Sequence, residues 1–396
     1  MVGFFLKLAA IAAAAVMLAS PAAATEKLYL AEYKLYTEAL GARDVAAAEI
    51  HGHAAWQAAE AELGENNLTG ILAYNYGNLV LFSAPEKAAS ALHRAEELRA
   101  AGIADLSAEE LALRIAFSDF AAAENAKDKR RELRAILMSD AVQALPPSED
   151  TARIWLRLAS ADVASDNFDD AVISAAEAEA AYSVLGAHEY RQRARALLLL
   201  GIATMFKDKA IADDVLLANK NFAKAGRLFP PQGNIETFDP ILATILAWND
   251  AAYALLESKY DFQKKRRDTY TGSRIKLNLP ENDISDPSKF APFDYDAIFP
   301  DSKSPEDCKI VWAKRDPPKY PLNANYRGYV GSVLVGYSLG SDLIAHNPVI
   351  LAEVPGKVFG EATLASVAEW RLASPPSNDR GCRANRLTIF TFVLRS

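Results

Sequence analysis

The sequence predicts a multidomain protein in which an all-α helical solenoid is followed by a small α+β domain, a three-stranded antiparallel sheet packed on a helix. Three observations predict it. From Thr25 to about Thr269 the chain is rich in alanine and poor in proline, and its apolar residues recur at three and four, the period of amphipathic helices. From Tyr329 onward the period changes to two. Between the two stretches Pro280, Pro287, Pro292, Pro300 and Pro305 lie among Asn, Asp and Ser, a density that interrupts helices and central strands alike. A chain of 396 residues is long enough for two or three separate cores.

At the start, Lys7 precedes an apolar run from Leu8 to Ala19, followed by Ser20-Pro21 and the small residues Ala22, Ala23 and Ala24. This is the layout of a secretory signal peptide over residues 1–24, with cleavage expected after Ala24. The run is shorter than the roughly 20 apolar residues of a membrane-crossing helix, so membrane contact is expected only through partners unless the segment is kept.

Residues 25–271 are read as a stack of helices. In one window Trp155-Leu156-Arg157-Leu158-Ala159 is followed by Asn167-Phe168-Asp169-Asp170-Ala171 and Ala178, alternating large and small residues at offsets that let two helices pack as a hairpin. A second, Leu200-Gly201 with Ala218, Phe222, Ala225 and Pro230, fits with a longer turn. A third, Tyr76-Gly77 with Pro85-Glu86-Lys87-Ala88, Leu92 and Ala95, fits with about one residue missing. These windows resemble the tetratricopeptide repeat. That resemblance implies a solenoid whose repeats bury their apolar faces on their neighbours and leave a surface for extended partners.

The stretch 272–305 is expected to be a Pro-rich linker, and the preceding Lys264-Lys265-Arg266-Arg267 a solvated helix end. Residues 306–396 form the C-terminal domain. Val333, Val335, Tyr337 and Leu339 alternate with smaller or polar residues and lead into the turn Gly340-Ser341-Asp342. A second strand is expected from Leu343 to about Leu351, and then a helix with Phe359, Ala362, Leu364, Val367 and Trp370 on its apolar face. The β-branched and aromatic run Leu387 to Leu394 supplies the last strand.

Export sets the redox context of the only two cysteines, Cys308 and Cys382, which are expected to pair as a disulfide. Closing a loop of that span would restrict the unfolded chain by about 4 kcal/mol. Charge is uneven: from Glu306 on, 11 Lys and Arg against 8 Asp and Glu leave the C-terminal piece at +3. With Lys7 also set aside from the overall -8, the middle stands at -12. An acidic scaffold carrying a mildly basic module argues against nucleic acid as a partner.

Several patterns suggest chemistry and fail on context. Gly336-Tyr337-Ser338-Leu339-Gly340 matches the Gly-x-Ser-x-Gly elbow, but the serine lies within an expected strand that a second strand follows, and His346 is only eight residues on. His51 and His53 would point about 200° apart on a helix and cannot easily share an ion. His93 and Glu97 share a face as a surface pair. The acidic run Asp166 to Asp170 lacks the glycine and distal glutamate of a calcium loop. The expectation is a protein that is not an enzyme and takes no cofactor, metal or small-molecule substrate.

One resemblance is specific. Pro318-Lys319-Tyr320-Pro321, then Ala324, Gly328 and Gly331-Ser332-Val333-Leu334-Val335, is similar to the opening of the TonB C-terminal domain, in which a Tyr-Pro pair precedes a Gly-x-Val-x-Val strand. Asp342, Val349, Phe359, Ala362 and the triplet Trp370-Arg371-Leu372 fit that family's turn, second strand and helix end. The turn keeps the family's residue types but not the order Asp-Gly.

The resemblance implies a periplasmic protein of a Gram-negative envelope whose last strand, along Ile389, Phe390, Thr391, Phe392 and Val393, meets the N-terminal peptide of a TonB-dependent outer-membrane receptor by strand addition. The family's energy-transducing members carry a membrane-anchored helix and a Pro-rich spacer. A solenoid stands where that spacer would be, so the resemblance implies docking of an outer-membrane receptor or another envelope protein rather than transmission of force. The alternative is a structural adaptor in envelope assembly that keeps the fold without transducing energy.

Overall fold

The computed structural model of the chain describes residues 27–123, 126–210, 212–232, 235–263, 310–327, 329–375, 383–384 and 386–393. Residues 1–24, read from the sequence as a signal peptide, residues 272–305, read as a linker, the basic run 264–267, Cys308 and Cys382 lie outside the described residues. The chain divides into two compact units between Leu145 and Pro146.

The first unit contains helices α1 (Leu28–Ala42), α2 (Val45–Leu63), α3 (Asn67–Val80), α4 (Pro85–Ala100), α5 (Ala108–Ala122), α6 (Lys127–Leu137) and the short α7 (Asp140–Gln143). Side-chain caps start several of them. Asp44 accepts from Ala47 N, Asn66 from Leu68 N and Ser107 from Glu110 N, each satisfying an amide that the first helical turn leaves without a partner. Tyr76 and Leu92, the large residues of one repeat window, are buried beside Ala88, Ala91 and Ala95.

The second unit opens with α8 (Glu149–Ala164), α9 (Phe168–Leu185), α10 (Tyr190–Phe206), α11 (Ala212–Gly226) and α12 (Pro240–Gln263). The acidic run makes the turn between α8 and α9, where Asp166 takes φ 58°. In the window that opens on Trp155, that residue and the small Ala159, Ala171 and Ala178 are all buried, as a close helical hairpin requires. No helix among the described residues is long and apolar enough to cross a membrane.

The C-terminal elements are β1 (Trp312–Lys314), α13 (Leu322–Arg327), β2 (Gly331–Leu339), β3 (Ala345–Val354), α14 (Gly360–Ala368), β4 (Arg371–Leu372) and β5 (Arg386–Phe392). Strands β3, β2 and β5 form an antiparallel sheet in that order, while β1 and β4 pair separately. The small α+β domain is therefore present, with its strand bounds moved by one to three residues. β1, α13 and β4 are additions to the expected elements.

β2 is the middle strand and is buried on both faces. Val333, Val335, Tyr337 and Leu339 join Phe359, Val367, Trp370 and Phe392 in a core beneath α14. On the opposite face Leu334, Ala352 and Val354 share a second core with Leu242, Ile245, Leu246, Ala247 and Ala251 of α12. The sheet is thus a middle layer between α14 and α12, whereas the sequence reading covers one face only. Small residues permit this. Ser332 donates its hydroxyl to the Ala247 carbonyl at 2.5 Å, and a Cβ on Gly336 would lie 2.6 Å from Cγ2 of Ile235.

Candidate functional site

β5 runs along the outside of the sheet, and among the described residues β2 is the one strand that pairs with it. Gly331, Ser332, Val333 and Leu334 stand opposite Phe392, Thr391, Phe390 and Ile389. The period of two sends Leu387 and Ile389 toward the core shared with α12, and Phe390 and Phe392 toward the core under α14. Thr391 is exposed, and Val393 lies one residue beyond the strand. Of the five edge residues named from the sequence, four are in β5. The rest of the strand, Arg386 to Thr388, extends the edge at its N-terminal end.

The motif residues hold this strand in place. Tyr320 donates its hydroxyl to the Tyr329 carbonyl, and its ring stands edge-on to Phe359 at 5.7 Å and to Phe392 at 5.7 Å. Phe359 and Phe392 stack at 4.2 Å. Pro321 ends the extended segment, and its carbonyl accepts from Asn325 N in α13. At Gly331 a Cβ would fall 2.2 Å from the Val354 carbonyl oxygen, so only glycine lets β2 and β3 meet there. Val333 is fully buried.

Trp370 is 1 % exposed and donates through Nε1 to the Asp316 carbonyl at 3.1 Å, while Arg371 donates through Nη1 to the Ala368 and Trp370 carbonyls at the end of α14. The start of α14 is closed by the Glu353 carboxylate, which accepts from the amides of Val358, Phe359 and Gly360. These side chains build the support of the strand. Among the described residues the β5 backbone has a strand partner on the β2 side alone.

Arg315 is a residue that sequence reasoning missed. Its guanidinium lies over Trp370 at 4.8 Å and over Trp312 at 5.3 Å, and its Nη2 is 3.5 Å from Oγ1 of Thr388 in β5. Lys314 next to it takes Glu369 at 2.6 Å, which holds that carboxyl below its ordinary range. Burial pushes the Tyr337 hydroxyl up, although Arg386 and Arg315 nearby work against the shift. The flanking Asp-Pro-Pro run gave the arginine the look of a loop charge; the only sequence signal was its place between two aromatic motifs.

The patterns set aside on context occupy ordinary positions. Ser338 lies in β2 opposite His346 in β3, and its hydroxyl donates to the His346 carbonyl at 3.4 Å rather than to the imidazole. The imidazole instead meets Asp342 at 2.8 Å, and this hydrogen bond lowers the Asp342 carboxyl. His51 pairs with Glu32 at 2.8 Å while His53 packs on Trp56 and Tyr76. His93 reaches Asp119 at 3.0 Å rather than Glu97, and Arg94 takes Glu97 at 2.9 Å. Among the described residues no group of three or more His, Cys, Asp or Glu could hold a metal ion.

The site therefore defines a class: a small α+β module with a supported outer strand. Residues 316–394 match the family described as the Gram-negative bacterial TonB protein C-terminal, so the chain carries a TonB C-terminal domain at the end of a helical region. Among solved structures, the solution NMR structure of the Pseudomonas aeruginosa TonB CTD is similar at 27% identity, covering 24% of this chain and 93% of that one, with a TM-score of 0.20. The search of curated proteins found no match.

Proposed function

We propose that the TonB C-terminal domain of this chain docks the N-terminal peptide of a TonB-dependent outer-membrane transporter by adding a strand to the outer edge of β5. The family match supports contact with envelope proteins as the broad role. The finer reading rests on the sheet order β3-β2-β5, which leaves β5 with one strand neighbour among the described residues. Backbone amides and carbonyls on an open edge are ready to complete a ladder with an extended peptide, and the pleat offers alternate side chains to the two sides. The protein acts in the periplasm after loss of its first 24 residues, as a binding protein and not an enzyme, and touches the membrane through its partner.

A second reading, a structural adaptor in envelope assembly that transduces no energy, draws on the attachment of the sheet to α12. Amide hydrogen exchange of the full chain, with and without synthetic peptides from transporter N-termini, tests the docking. Slower exchange confined to residues 386–392 is expected. Unchanged exchange there, or protection of β3 instead, would rule out docking at β5.

A further inference from the structure

The sheet face turned away from α14 has the character of a domain interior. Leu334, Ala352 and Val354 are buried together with Leu242, Ile245, Leu246 and Ala251, and Leu387 and Ile389 of β5 pack against the same core. The facing surfaces are matched in size. Ser332 and Gly336 are small where Ala247 and Ile235 come close, and the Ser332 hydroxyl finds its partner across the boundary, on the Ala247 carbonyl. A polar group left unmatched in such a place would destabilise the contact, and here it is satisfied only when the two surfaces are together.

We infer that this face, and not the connection between Gln263 and Ile310, joins the helices to the TonB C-terminal domain. The connection is 46 residues long, from Lys264 to Lys309. A chain connection of that length supplies an effective concentration on the order of millimolar at most, which a weak contact would need. An apolar interface packed like a core divided in two does not need it. The partner that fits this sheet face is therefore the α12 side of the chain's own helical array, held by the packing of the two surfaces rather than by the connecting residues. Where a peptide adds to β5, as the docking reading has it, it adds to a strand whose Leu387 and Ile389 are rooted in that array. Load on the peptide then passes into the helices directly.

The test needs no peptide, so its outcome is separate from that of the docking experiment. A rare-cutting protease site is inserted between Ser285 and Asp286 of the full chain, the purified protein is cut, and size-exclusion chromatography is run at about 1 μM, well below what a tether-dependent contact tolerates. Cys308 and Cys382 both follow the cut, so no disulfide between them can bridge the pieces. Both pieces are expected in one peak at the volume of the uncut chain; their separation would overturn the inference. The cut double variant Ser332→Leu with Gly336→Leu is expected to give two peaks, and co-elution of its pieces would show that the junction lies elsewhere.

Discussion

The ring of Tyr320 meets the ring of Phe392 edge-on at 5.7 Å, which ties the Tyr-Pro motif to the last residue of β5 although 72 positions separate them in sequence. The motif belongs to the segment that enters the domain, and the strand closes it. Their contact through Phe359 makes one aromatic cluster out of the two ends and the start of α14. Aromatic pairs with this geometry contribute about 1 kcal/mol beyond their burial.

Tyr320→Phe keeps the rings and removes the hydroxyl that donates to the Tyr329 carbonyl. A loss of about 1 kcal/mol is expected, the usual net value of one hydrogen bond. Tyr320→Ala removes the cluster's edge as well and is expected to cost about 3 kcal/mol. Urea unfolding of both variants, with the midpoint falling and the slope unchanged, checks the order and the ratio.

Glu353 is the cap that α14 does not carry in its own first turn. Its carboxylate accepts from three successive amides, and no side chain of the N-terminal residue does so. Glu353→Ala is expected to destabilise the domain by about 2 kcal/mol, because both the hydrogen bonds and the favourable charge at a helix start are lost. Faster amide exchange at residues 358–360 than at the far end of α14 would identify the cap as the cause; uniform acceleration would assign the loss to another contact.

Gly331→Ala places a methyl group 2.2 Å from the Val354 carbonyl oxygen and 2.7 Å from the Phe359 ring. A backbone carbonyl in a paired strand cannot yield, so the pairing of β2 with β3 must open. The expected cost is about 2 kcal/mol or more, at the upper end for overpacking. A variant with an unchanged urea midpoint would show that the strands can slide apart freely.

The alternation Val333, Val335, Tyr337, Leu339 made β2 legible because these four residues share one buried face. The other face was not. Ser332 and Gly336 stand among the smaller or polar positions that alternate with those four, and they are small because helical backbone and Ile235 come close. The Ser332–Ala247 pairing spans 85 positions, and periodicity within one segment says nothing about such a partner. A hint existed in Ala243, Ala247 and Ala251, which repeat every four residues on α12 and are all buried. β1 and β4 escaped because three and two residues are too few to set a pattern; Trp312 against Trp370 at 5.1 Å holds them instead. The outer strand was legible from its β-branched and aromatic composition, and Arg315, a lone charge before two prolines, was not.

The helices of the second unit share a carboxylate whose titration is readable. Glu179 of α9 accepts from Arg193 of α10 at 2.8 Å and from Lys224 of α11 at 2.9 Å. Burial pushes the Glu179 carboxyl up, but the hydrogen bonds from Lys224 and Arg193 outweigh it and the net shift is downward. A carboxyl that is more acidic in the folded chain than in the unfolded one stabilises the fold at pH above its unfolded value. That stabilisation fades as the pH falls through the folded value, where the native carboxylate takes up its proton.

Glu179→Gln keeps the shape and cannot ionise, so at pH 7 it is expected to cost about 1 kcal/mol. The difference between wild type and variant should stay level from pH 7 down to about 5.5 and shrink below about 4.5, the range in which an ordinary glutamate begins to protonate. Thermal unfolding of both proteins across that range checks the sign: a gap that widened toward acid would mean that burial, not the two cations, governs this carboxyl.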